Sequence, residues 1–70
     1  MSKYCVHISF NASPESLRID AVDMNHAVSL VDSIDRSIEQ GEATLMYNTI
    51  TGGKGLLRVS NINFAVVQRI

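Results

Sequence analysis

Cys5 and His7 stand two residues apart, the spacing that puts both side chains on one face of a β-strand and lets a thiol meet an imidazole. A thiolate nucleophile needs that imidazole together with an orienting group and an oxyanion site, and the chain shows no residue pattern for either. As metal ligands the two need at least a third, and His26, at the start of a helical stretch, is the only other histidine. Such residues ordinarily face solvent or a partner surface. No catalytic group, metal or cofactor is expected from them.

The glycine-rich run TGGKG, residues 51–55, is the next candidate. A phosphate-binding P-loop carries G-x-x-x-x-G-K-[ST] between a strand and a helix, so that backbone N–H groups and a helix N-terminus converge on the phosphates. Here Lys54 is followed by Gly55 and then by a strand-like run, so that pattern is not met. A weaker chemistry remains, in which Gly52 and Gly53 form a nest of N–H groups beside Lys54 and hold one phosphate. Arg58 and Arg69, with Tyr47 and Asn48, extend it to a patch for a nucleotide or a single strand, where a ring stacks on a base and cations meet phosphate. The plainer reading is a hairpin turn whose lysine keeps the loop soluble. Duplex DNA is not an expected ligand, because dedicated binders carry a basic excess and this chain has a net charge of -1.

Asp32, Asp35 and Glu39 recur at i, i+3 and i+7, and Asp32 precedes Arg36 by four residues, the favourable order for an ion pair on a helix. Carboxylates do acid–base work in a cleft that perturbs their pKa values, so an exposed ridge reads first as a solvated face. It also offers an acidic surface to a basic protein. The charges separate by half: residues 1–42 hold all seven acids against Lys3, Arg18 and Arg36, and residues 43–70 hold Lys54, Arg58 and Arg69 with no acid. That split sets an acidic face opposite a basic one, or neutralises itself across the fold or between subunits.

These residues need elements to position them. Over residues 23–41 the apolar side chains Met24, Ala27, Val28, Leu30, Val31, Ile34 and Ile38 fall within a helical arc of roughly 160°. Asp23 is positioned as the N-cap, and Gly41 to take the left-handed conformation that ends a helix. The stripe Ala27, Val31, Ile34, Ile38 is expected to pack on Val6, Ile8, Leu17 and Ile19. Everything outside this stretch alternates with period two. Residues 3–10 form the clearest strand, with Tyr4, Val6, Ile8 and Phe10 facing the core; Pro14 and its small polar neighbours turn the chain, and residues 17–22 return. After the helix, residues 43–50 read as a strand of ambiguous inward face, 51–55 as a hairpin loop and 56–60 as the returning strand. Residues 61–63 read as a bend or short helical turn and 64–70 as the last strand. The expected fold is α+β in the order ββαβββ, a single domain over residues 1–70, with one helix on one face of a small antiparallel sheet.

One helix covers only one face of such a sheet, and Cys5, Val22, Met46, Ile50 and Val67 are placed to project from the other. Soluble monomers seldom expose large apolar patches, and a chain this short removes only about 60% of its unfolded surface on folding. A homo-oligomer with Cys5, Met46, Ile50 and Val67 at its interface is therefore expected. The lone cysteine leaves no intramolecular disulfide and fits a reducing compartment. No apolar run has the length of a signal-peptide core or a membrane span, so the reading is cytoplasmic, with no membrane partner. The expected function is a non-enzymatic, homo-oligomeric interaction module that binds a partner protein, in the manner of accessory and inhibitor proteins of phages and mobile elements. The alternative is a module holding a nucleotide or another phosphate-bearing ligand through the TGGKG loop and the basic strands.

Overall fold

The computed structural model describes residues 3–70. β1 (Tyr4–Phe10) and β2 (Ser16–Ala21) form the expected first hairpin, in register from Tyr4 opposite Ala21 to Ser9 opposite Ser16. Helix α1 (Met24–Glu39) follows almost at once. β3 (Thr44–Asn48) and β4 (Lys54–Arg58) make a second hairpin, a short 3-10 turn over Val59–Asn61 redirects the chain, and β5 (Ile62–Arg69) runs back antiparallel to β1. The order ββαβββ is as the sequence predicts. The strands nevertheless divide into two sheets, β2–β1–β5 and β3–β4. The 3-10 turn is the cause, because it swings the chain away from β4 and lets β5 complete the first sheet instead of extending the second.

Both ends of α1 are closed by the residues that their types suggest. The Asp23 carboxylate accepts the His26 N–H at 2.8 Å, and the His26 ring returns the bond, its Nδ1 accepting the Val22 N–H at 3.1 Å. Two N-terminal donors are thus satisfied reciprocally, as in a capping box. At the other end Gly41 adopts a φ of 72°; its N–H bonds to the Ile38 carbonyl, and the Glu42 N–H reaches the Ser37 carbonyl. This is the Schellman arrangement, which needs a residue free of the Cβ penalty at that left-handed position.

The core joins Val6, Ile8, Ile19 and Ala21 of the sheet to Ala27, Leu30 and Ile34 of α1, to Leu57 of β4 and to Val59 just beyond the second hairpin. The buried line of the helix is Ala27, Leu30, Ile34, Ser37, not the expected stripe through Val31 and Ile38. Val31 is half-buried and Ile38 is 49% exposed. The second hairpin explains the difference: Leu45 and Tyr47 approach α1 from the side of His26 and Leu30, and the helix rolls toward them. Its opposite apolar flank, Met24, Val28 and Ile38, is left in the open.

Two smaller expectations are corrected. Lys54 and Gly55 belong to β4, so the loop is residues 49–53. Val67 faces the helix, opposite Val6 and packed against the core, because the β1–β5 register puts it on the inner side; Val66 takes the outer place.

Candidate functional site

Cys5 and His7 do share the outer face of β1, but the thiol is only 4% exposed, on the central strand between Asp20 of β2 and Gln68 of β5. It is therefore closed to a partner, contrary to its expected place at an interface. His7 instead meets Phe64 edge to face, with ring centroids 6.5 Å apart at 74°. His26 is engaged at the helix cap. Among the described residues no three histidine, cysteine or acidic side chains gather as a metal site.

The TGGKG region uses its own donors. Thr49 gathers them: its carbonyl accepts the Gly52 N–H at 3.1 Å and its hydroxyl accepts the Gly53 N–H at 2.9 Å, while the Thr49 N–H bonds back to the Gly53 carbonyl. A nest for a phosphate needs those N–H groups free and convergent. The structure also divides the residues grouped with the loop. Asn48 and Lys54 face one another on the outer side of the second hairpin, which Arg58 shares with the exposed Met46 and Leu56. Tyr47 points the other way, and Arg69 lies on the separate three-stranded sheet. Ile50 is exposed beyond the end of β3, so it and Met46 are surface residues of the hairpin and not of the sheet beneath the helix.

The two edges of the three-stranded sheet differ in kind. A free edge offers unpaired N–H and C=O groups to any passing strand, and proteins blunt such edges with charge, proline or shortness. β2 carries charge, an ion pair on its outer face from Arg18 Nε to Asp20 Oδ1 at 2.8 Å, and Pro14 lies two residues before it. The hydrogen bond from Arg18, and then the charge of Asp20, raise the Arg18 pKa above its ordinary value. β5 contains no proline, and its single charge, Arg69, stands at its far end. It is the longest strand, and from Ile62 to Gln68 it carries no charge.

Apolar side chains gather on both sides of that open edge. On the face away from α1, Phe64 and Val66 are exposed. On the α1 side, Val31 and Ile38 form one wall of a cleft of about 190 Å³, and Ile62, Asn63 and Ala65 the other, with Asp35 also lining it. Protein-family models, characterised proteins and solved structures give no match to this chain. No helix among the described residues is long and apolar enough to cross a membrane.

Sequence reasoning anticipated surplus apolar surface, and Val22, Met46 and Ile50 are exposed as expected, whereas Cys5 and Val67 are covered. Phe64, Val66 and Ile38 are exposed as well, and a signal for the first two was present: residues 62–68 are a long uncharged run in the half of the chain that has no acid. The exposure of Ile38 had no signal, because it depends on where the second hairpin packs.

Proposed function

We propose that this chain is a non-enzymatic interaction module, working as a small homo-oligomer that presents the β5 edge and its apolar borders to another polypeptide in a reducing compartment such as the cytoplasm. The observation that carries this reading is the contrast between the two sheet edges. An edge left long, charged only at its end and bordered by apolar side chains suits main-chain pairing, where the ladder supplies affinity and the flanking pockets supply specificity.

The test is sedimentation velocity over a wide concentration range, with thermal melts at each concentration. The wild-type chain is expected to associate, with a melting temperature that rises with concentration. Val66→Lys puts a charge on the outer face of the strand while leaving the core untouched, and is expected to yield a folded monomer. A wild-type chain that sediments as a monomer throughout, with a concentration-independent melt, removes the homo-oligomer from this reading.

A further inference from the structure

We propose that the partner at this edge is a second copy of the chain, with β5 paired to β5 antiparallel about a two-fold axis at Val66, so that the two three-stranded sheets become one of six strands. The proposal rests on the interaction-module reading and specifies its partner and register.

The backbone fixes which groups are available. The Ile70 N–H bonds to the Lys3 carbonyl at 2.8 Å, and antiparallel pairs alternate between bonded and non-bonded. Counting back along the β1–β5 register, Gln68, Val66 and Phe64 turn their N–H and C=O groups toward β1, whereas Arg69, Val67 and Ala65 turn theirs to the open edge. With Val66 on the axis, Ala65 of each copy faces Val67 of the other, and the outward groups of both residues are paired in both copies. The side chains agree in direction, since Ala65 and Val67 lie on the α1 side and Val66 on the outer side. Val66 then meets its own counterpart, and the exposed Phe64 lies diagonally across from it.

Charge selects this register and this partner. Arg69 comes to stand across from Asn63 of the second copy, and Asn63 lines the same cleft as Asp35. Arg69 and Asp35 are both exposed, and among the described residues the only ion pair is that between Arg18 and Asp20. Self-pairing brings each Arg69 to the other copy's Asp35, twice by symmetry, and so joins the basic half of one chain to the acidic half of its mate. Sliding the strands to a two-fold axis one residue either way puts Arg69 across from Asn61 or Ala65 and loses this match.

The experiment is a cysteine cross-link. At a non-hydrogen-bonded antiparallel pair the Cα atoms stand about 4.5 Å apart, within disulfide range. Val66→Cys, in a Cys5→Ala background, is expected to give a disulfide-linked dimer under mild oxidation, while Leu56→Cys, a more exposed position on the other hairpin, stays largely unlinked. Equal linking of the two overturns the pairing. Independently, Asp35→Arg and Arg69→Asp are each expected to weaken the dimer by about tenfold, and the double variant to regain it. A double variant no tighter than either single one overturns the proposed register. If the wild type sediments as a dimer but Val66→Cys does not link, β5 self-pairing is wrong and the interaction-module reading stands. A wild type that stays monomeric overturns the self-pairing and the homo-oligomer together.

Discussion

The ring of Tyr47 occupies the space that a side chain at residue 55 would need. The two residues face each other across the second hairpin, and a Cβ built on Gly55 would fall 2.8 Å from Tyr47 Cε1 and closer still to Cζ and the hydroxyl. Glycine at this position lets an aromatic ring cover a bare stretch of backbone, which seals the hairpin against the core. Gly55→Ala is therefore expected to destabilise the fold by about 1 to 3 kcal/mol, the usual range for overpacking. In a Tyr47→Ala background the same change should cost much less. A double-mutant cycle in denaturant checks this, and additive effects would mean that the two residues do not compete for space.

The roll of α1 makes two isoleucines on one helix unequal. Ile34, 3% exposed, is expected to cost about 2 to 5 kcal/mol when replaced by alanine. Ile38→Ala, measured at concentrations low enough to keep the chain dissociated, should lie within about 0.5 kcal/mol of wild type, as exposed positions generally do. Similar urea midpoints for the two variants would show that the helix does not sit as described.

The caps of α1 give a third pair of expectations. Asp23→Ala removes the acceptor for the His26 N–H and is expected to cost about 0.5 to 2 kcal/mol, while Asp23→Asn keeps an acceptor and costs less. Gly41→Ala places a Cβ at a left-handed φ and is expected to cost about 1 to 2 kcal/mol, although nothing lies within 4 Å of the added atom. The penalty is thus conformational. A melting temperature unchanged in Gly41→Ala would contradict the Schellman closure.

The second hairpin gives a fourth expectation, on binding. Because Thr49 consumes the Gly52 and Gly53 N–H groups, calorimetric titration with nucleoside triphosphates or short oligonucleotides at low salt should give no heat. Heat that falls with rising salt and vanishes in Lys54→Gln/Arg58→Gln would restore the phosphate-binding alternative, since exposed charges are screened within about 10 Å at moderate ionic strength.

How far the sequence leads can be seen residue by residue. Asp23 and Gly41 mark the helix ends because capping depends on side-chain type and local conformation alone. The inward set Tyr4, Val6, Ile8 and Phe10 was legible because β1 alternates cleanly between apolar and other residues. Val66 and Val67 could not be told apart, since both are apolar and only pairing with Val6 decides between them. Ile38 was misplaced for a related reason: the helical arc is wide enough to serve two neighbours, and its orientation depends on a hairpin that follows it in the chain. The loop donors around Gly52 gave no warning either, because the hydroxyl that takes one of them belongs to Thr49, outside the glycine run. Local rules fixed the elements, and long-range packing chose among their faces.

The pairing of β1 with β5 also sets an order of assembly. β1 finds β2 within a short hairpin, but its partners on β5 lie between 52 and 65 positions further along. While the chain is being synthesised, one side of β1 stays vacant until the last strand emerges, and closing so long a loop makes this the slow step of folding. In that interval the β5 of a neighbouring chain fits the vacancy as well as the chain's own. Crowded refolding should therefore yield strand-exchanged dimers, and dilute refolding should avoid them.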